Sequence, residues 1–213
     1  MTRFASLSGV GFTALWIAAF VAGLGDEENP SDAEIVAYYA DEGNRGAETT
    51  LMFLVLAASL VFLVFVTVLR DRLTGASGPL GSVVLGAGLI ATTLWIIAAV
   101  FWGGVAYTAN ETHAFRVDPD TERLVGEMAY LFFVAGTVAA LPLVFATSLA
   151  ARRSGVLPGW LVVLGLVVSF TMLGALAVLP FFLFLAWVVL VAVTLAVRGG
   201  QPVAGRAQAG EAT

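Results

Sequence analysis

Long apolar segments with almost no internal charge constrain this chain more than any other feature. A bilayer core about 30 Å thick is crossed by about 20 mostly apolar helical residues. Six segments qualify or nearly qualify: 7–24, 50–69, 81–108, 124–149, 160–179 and 181–197. In the second, 14 of the 19 residues from Leu51 to Leu69 are Leu, Phe or Val, which corresponds to roughly −6 kcal/mol of insertion free energy. We therefore predict an all-α fold, a polytopic bundle of six transmembrane helices.

The low content of charged residues supports the same conclusion. Only 12% of the residues are charged and 60% are hydrophobic, whereas a soluble domain carries about 25% charged residues. So little charge cannot cover the surface of a soluble globule of this size. We predict one integral membrane domain over residues 1–198, followed by a disordered cytoplasmic tail over residues 199–213.

The distribution of arginines predicts the orientation, because loops rich in arginine or lysine stay in the cytoplasm. With a cytoplasmic N-terminus, seven of the ten cations would face inward: Arg3, Arg70, Arg72, Arg152, Arg153, Arg198 and Arg206. We therefore expect both termini to be cytoplasmic. Cleavage of segment 7–24 as a signal peptide is an alternative that would leave five spans in the same orientation. A chain without lysine and rich in alanine and glycine is typical of bacteria, so the expected location is the plasma membrane.

Composition also excludes several chemistries. The chain has no cysteine, which excludes disulfides, thiolate nucleophiles and Cys-ligated metals. It has no lysine, which excludes a lysine Schiff base. A single histidine, His113, cannot form a bis-histidine haem site. The net charge of −5 argues against nucleic acid as a partner.

The first outer loop carries the pattern of a short helix. Ser31 and Glu34 form a predicted capping box, and Gly43 is the expected end of the helix. The apolar face between them comprises Ile35, Val36, Tyr38 and Tyr39. We expect an amphipathic helix at the membrane surface. Its two tyrosines either anchor it there or serve as a lid over a ligand site.

The second outer loop contains another helix start. Asp118 is the predicted N-cap and Pro119 the first helical residue, with acids in the first turn. A metal site is the alternative explanation for the acids, and it would use His113, Glu111, Asp118 and Asp120. The helix start explains most of this acidity without a ligand, so we predict no metal site.

Small residues four apart predict where helices pack closely, since helices associate in lipid through small residues and a few hydrogen bonds. Four such sets occur: Ala14, Ala18 and Ala22; Ser82 and Gly86; Gly136 and Ala140; Gly165 and Ser169. We interpret all four as packing faces.

Two acids, Glu48 and Glu127, come closest to the membrane interior. Each lies near a predicted helix N-terminus, where the helix dipole favours a carboxylate. The alternative is an outward-facing pocket for an amphipathic or cationic ligand, formed by the second, third and fourth spans. Its candidate ligand-binding residues are Glu127, Tyr130, Glu48, Arg45, Trp102 and Tyr107, with Tyr38 and Tyr39 as a lid; Trp95 lies on the same face of the third span as Trp102. In this hypothesis Arg45 neutralises one of the two carboxylates.

The segment from Arg152 to Trp160 carries basic residues followed by Gly-x-Leu-Pro-x-Trp. This pattern resembles a family of uncharacterised six-helix membrane proteins of high-GC bacteria, and the likeness extends over about residues 5–198. The resemblance implies the same six-helix layout with an amphipathic helix after the first span. It implies no catalytic residues, because that family has no established function.

These observations favour a non-enzymatic integral membrane protein: an accessory factor, a sensor, or a protein that binds a lipid or a small amphipathic ligand. No cofactor is expected. The bilayer is the expected partner, and a second copy of the chain or a membrane partner protein is left open. The alternatives are a small facilitative transporter of a neutral or lipophilic compound and a membrane-embedded enzyme.

Overall fold

Helices form the regular structure throughout the part of the chain that the computed structural model describes, which is residues 5–23, 30–77, 79–112 and 115–198. Within these residues the α-helices are α1 Ser8–Ala22, α2 Asp32–Ala40, α3 Glu42–Ser77, α4 Pro79–Glu111, α5 Pro119–Ser154, α6 Gly159–Thr171 and α7 Leu179–Arg198. A short 3₁₀ helix, Met172–Gly174, extends α6. The predicted all-α fold is confirmed. The tail at residues 199–213 and His113 lie outside the described residues.

Four of these helices, α3, α4, α5 and α7, are long and apolar enough to cross a membrane. The predicted count of six spans is not confirmed, because the other two apolar helices are shorter: Ser8–Ala22 and Gly159–Gly174. At 1.5 Å per residue, the 15 residues of α1 extend only about 22 Å. A bilayer core of about 30 Å exceeds that length.

Local sequence sets the helix ends largely as predicted. Ser31 accepts a hydrogen bond from the backbone of Glu34, whose carboxylate accepts from the backbone of Ser31, so the capping box is confirmed. Asp118 caps α5 through the backbone of Thr121, with Pro119 in the first turn. The predicted end of α2 at Gly43 is wrong. The helix ends at Ala40, and α3 begins at Glu42 after the extended residue Asp41, whose carboxylate accepts from the backbone of Asn44.

The helices pack in an order set by the connections. Each of α3, α4, α5 and α6 packs against the helix that follows it, and α1 packs against α3 and α7. Close approach requires glycine at two contacts: a Cβ on Gly136 would lie 2.7 Å from the indole of Trp95, and one on Gly88 would lie 2.6 Å from Val66. The predicted packing of Gly136 with Ala140, and of Gly165 with Ser169, is confirmed because all four are buried.

The two other predicted packing faces are wrong. Ala14 and Ala18 are exposed, and α1 instead buries the larger residues Phe12 and Trp16. Ser82 is exposed as well, and nothing lies within 4 Å of a Cβ placed on Gly86. The physical reason is that aromatic side chains fill the centre of the bundle, so α1 uses its widest side chains for contact.

An aromatic core occupies that centre. It consists of Phe12, Trp16, Phe62, Trp95, Phe133, Phe181 and Phe184, each at most 2% exposed. Neighbouring rings lie with centroids 4.6 to 6.2 Å apart, in tilted, stacked and edge-on arrangements, which are the favourable geometries for aromatic pairs. The core joins α1, α3, α4, α5 and α7 and forms the floor beneath the site described next.

Candidate ligand-binding site

Helix α2 lies across one end of the longer helices, where α3 and α5 begin and α4 ends. Its residues Ile35 and Tyr39 are 4% and 6% exposed and pack against Ala106 of α4. Val36, predicted on the same apolar face, is exposed. Tyr38 is half-buried, and its ring lies edge-on to that of Tyr39. The two tyrosines thus occupy different surroundings, and Tyr39 is the one directed into the bundle.

The phenol of Tyr39 binds a carboxylate of α3. Its hydroxyl donates a hydrogen bond to Glu48, with both carboxylate oxygens at 3.0 Å. Burial is the largest cause of a strongly raised pKa at Tyr39, and the negative charges of Glu48 and Glu122 raise the pKa further. The phenol therefore stays protonated and serves as a neutral donor between two acids from different helices.

Two arginines fasten α2 to the bundle from either end. The Arg45 guanidinium donates to the carbonyls of Tyr39 and Ala40 at 2.7 and 3.1 Å and to Asn110 Oδ1 at 2.7 Å. At the other end, Arg123 donates to the carbonyl of Pro30 and forms an ion pair with Asp32 at 2.7 Å. Both ends of α2 are thereby connected to long helices of the bundle, one end to α3 and the other to α5.

A cavity of about 320 Å³ lies at this end of the bundle, between α1, α3, α4 and α5. Its lining divides into two acids, an aromatic and aliphatic wall, and small residues that leave space. The lining residues are Trp16, Ala19, Phe20, Gly23, Glu48, Leu51, Val55, Phe101, Trp102, Glu122 and Gly126. Carboxylates from α3 and α5 thus face a site whose other walls are apolar, with four aromatic residues among them.

The chemistry of this lining suits an organic cation with an apolar body. Two half-buried carboxylates, Glu48 and Glu122, attract positive charge. The half-buried rings of Phe20, Phe101 and Trp102 line the same cavity, and aromatic rings bind ammonium groups through their electron-rich faces.

The structure brings together only part of the predicted site. Glu48 and Trp102 line the cavity, and Tyr39 lies at its edge on Glu48. Glu127 and Tyr107 are exposed and do not line it. They lie at the same end of the bundle, but their helix faces point away from the cavity.

Three further predicted residues have structural partners instead. The Tyr130 hydroxyl donates to the carbonyl of Leu176, which ties α5 to the turn between α6 and α7. Arg45 donates to the carbonyls of Tyr39 and Ala40 and to the amide oxygen of Asn110, and its neutralisation of a carboxylate stays a prediction. Trp95 is fully buried in the aromatic core rather than in a pocket.

Sequence reasoning missed Glu122 and the contribution of α1. The predicted helix start at Asp118 accounts for the acid at Glu122, since acids are favoured in a first turn. The usable signal was the spacing between Glu122 and Gly126, which places an acid and a residue without a side chain on one helix face. Trp16 gave no comparable signal, because an aromatic residue within an apolar span fits lipid and protein surroundings equally well.

Metal binding finds no support in the described part of the chain, where no three histidine or acidic side chains are grouped closely enough to hold an ion. The site is therefore defined by two carboxylates, a protonated phenol and an aromatic wall. No family model, no curated protein and no solved structure matches this chain.

Proposed function

We propose that the chain crosses the bacterial plasma membrane six times, with both termini in the cytoplasm. Helices α1 and α6 are shorter than the four long ones, but they pack into the same apolar core, which supports their inclusion in the count. Charge supports the orientation: among the described residues, one end of the bundle carries five arginines and only Asp71 as an acid. Membership in the six-helix family of high-GC bacteria stays a prediction.

The proposed topology is open to a direct test, because the natural chain has no cysteine. Single cysteines at Ala40 and Phe115 should react with a membrane-impermeant maleimide in intact spheroplasts, whereas one at Ser154 should react only after lysis. Labelling of the first two positions only after lysis would reverse the orientation.

We infer that the outer end of this bundle binds an amphipathic organic cation and performs no chemical reaction on it. The cavity carries this inference: two carboxylates from different helices face an aromatic wall beneath a helix that is fastened at both ends. A cationic head would lie on the cavity side of Glu48 and Glu122, which the Tyr39 phenol joins, and an apolar body would contact the aromatic wall. Such a protein would act as a sensor, an accessory factor or a ligand-binding subunit.

The packing beneath the cavity favours binding over transport. Trp16 lines the cavity and belongs to the aromatic core, where its ring lies 4.8 Å from that of Phe181 and 6.0 Å from that of Trp95. A solute leaving the cavity toward the other side would have to separate these rings. A facilitative transporter would need a second arrangement of the same helices.

The binding proposal is tested with benzyltrimethylammonium as the probe, titrated calorimetrically into the protein in nanodiscs. Glu48→Gln and Glu122→Gln should each weaken affinity about tenfold, which is the loss expected for one charge-assisted contact of about 1.4 kcal/mol. Glu127→Gln is the matched control, because it removes the same charge from the same end of the bundle outside the cavity. Its affinity should stay near that of the natural protein.

Three results would contradict the proposal. An equal loss in all three variants would mean that the acidic outer surface attracts the probe without a site. Absence of measurable binding to the natural protein would exclude an aromatic cation site. Counterflow of the probe in proteoliposomes, lost in Glu48→Gln, would replace the binding role with facilitated transport.

A further inference from the structure

A second concave surface lies at the opposite, arginine-rich end of the bundle. This groove has a volume of about 600 Å³ and follows the end of α5, the connection to α6 and the first turns of α6. Its lining residues are Ala151, Arg152, Gly155, Leu157, Gly159, Val162, Val163 and Leu166. Apart from one arginine, the lining is apolar or glycine, and it contains no acid.

Among the described residues, the arginine in this lining has no hydrogen-bond or ion-pair partner. Arg152 is exposed, and it makes no hydrogen bond or ion pair with any described residue. The charge at this end is mostly positive, since Arg70, Arg72, Arg153 and Arg198 lie there and Asp71 is the one acid among the described residues. An unpaired guanidinium in a field of other cations favours an anionic ligand, and its planar donors match phosphate oxygens.

The fold holds the groove open. Gly155 adopts a left-handed conformation with φ of 68° that ends α5, and Arg198 of α7 donates to the carbonyls of Gly155 and Val156 at 3.2 and 3.0 Å. A Cβ on Gly155 or Gly159 would meet nothing within 4 Å. The turn is therefore fixed by a residue from a distant part of the chain, and the space beside it stays free.

The apolar part of the groove continues along α6 into the hydrocarbon region of the proposed membrane. Val163 is 60% exposed, and Leu166 follows it by three residues on a neighbouring part of the helix surface. A ligand that bridges both parts needs a phosphate at one end and a hydrocarbon chain at the other.

We propose that this groove binds one anionic phospholipid, with its phosphate on the Arg152 guanidinium and one acyl chain along Val163 and Leu166. The lipid comes from the leaflet at the arginine-rich end. The inference depends on the proposed membrane insertion but not on the outer cavity, so failure of the cation site would leave it unaffected. Bound there, the lipid would fasten the connection between α5 and α6 at the headgroup level.

The test counts lipids that stay bound to the detergent-purified protein in native mass spectrometry. Phosphatidylglycerol and phosphatidylcholine with identical acyl chains are titrated in turn. The natural protein should retain one phosphatidylglycerol about tenfold more tightly than phosphatidylcholine. Both lipids carry the phosphate, but the choline ammonium of phosphatidylcholine cancels its net charge and is repelled by the arginines at this end. Arg152→Gln should abolish that preference.

Arg153→Gln is the matched control, because it removes the same charge from the neighbouring exposed position, which does not line the groove. It should keep most of the preference for phosphatidylglycerol. Gly159→Leu adds a side chain at a groove-lining position with open space around it and leaves every arginine in place. It should weaken binding of phosphatidylglycerol and show that the acyl chain needs the groove.

Three outcomes would overturn the proposal. An equal loss of phosphatidylglycerol binding in Arg152→Gln and Arg153→Gln would indicate attraction by the whole basic surface. Equal retention of both lipids by the natural protein would exclude a site selective for anionic lipid. Displacement of the lipid by millimolar glycerol 3-phosphate would assign the site to a soluble phosphate. Unchanged elution volume and helical circular dichroism of each variant ensure that the comparison is made between folded proteins.

Discussion

The hydrogen bond between Tyr39 and Glu48 should control how firmly α2 closes over the bundle. Tyr39→Phe removes only the hydroxyl, which lies 3.0 Å from both oxygens of the carboxylate. The ring would keep its packing against Ile35 and Ala106. A hydrogen bond to a charged group contributes about 1.5 to 3 kcal/mol. Because Glu48 is half-buried and water can replace part of the bond, we expect the lower end, about 1.5 kcal/mol.

Hydrogen exchange measures this loss locally. Opening of α2 exposes its amides, so exchange at residues 35–40 should become about tenfold faster, which corresponds to about 1.4 kcal/mol. Amides of the aromatic core should exchange as before, since the substitution leaves those contacts in place. The measurement is made in nanodiscs at neutral pH, where the phenol is protonated.

The control is Tyr107→Phe, which removes a hydroxyl from an exposed tyrosine at the same end of the bundle. Exchange in α2 should not respond to it. A double-mutant cycle adds Glu48→Gln: with Tyr39 already replaced, the second change should accelerate exchange in α2 less than it does alone. Unchanged protection of residues 35–40 in Tyr39→Phe, or the same acceleration in the control, would refute the reasoning.

Three further perturbations follow from the same contacts. Gly136→Ala places a methyl group 2.7 Å from a buried indole, so the protein should lose about 1 to 3 kcal/mol of stability. We expect a lower Tm in detergent. Gly104→Ala, with nothing within 4 Å of its Cβ, should leave the Tm unchanged. Arg123→Gln should speed proteolysis at the start of α2, and adding Asp32→Asn should then change little, because both substitutions break the same ion pair; additive effects would contradict this. Raising the pH above about 10 should progressively weaken the closure of α2, because the Tyr39 phenol has its ordinary pKa of 10.0 when α2 is open and a raised pKa when α2 is closed. The contribution of the phenol to closure is fully present below that pH. Loss of protection near pH 7 would rule out the phenol as the cause.

The helices and several of their ends could be read from the sequence because the signals are local. Ser31 and Glu34 form their capping box within one turn, and Asp118 caps α5 three residues before the amide that it binds. The segregation of arginines and acids to opposite ends also follows once the helices are placed. These features need no knowledge of which helices are neighbours.

The composition of the site could be read only in part. Glu48 and Trp102 were identified, but Glu127 was preferred to Glu122, although the two acids lie five residues apart on α5. At 3.6 residues per turn, five residues correspond to a rotation of about 140° around the helix, so only one of them can face the cavity. Which one does so depends on how α5 packs against its neighbours.

The sequence by itself determined that this chain forms apolar helices with capped ends. It also determined that arginines collect at one end of the bundle and acids at the other. Tertiary structure decided that Trp16 rather than Ala14 and Ala18 faces the core, and that Glu122 shares a cavity with Glu48. The physical reason is that lipid is as apolar as a protein interior. A span surrounded by lipid and protein is hydrophobic on all sides, so the alternation that marks the buried face of a soluble helix is absent. The inward face is then selected by how well the side chains of neighbouring helices fit together. That fit depends on residues far apart in the chain, so no periodic pattern in the sequence marks it.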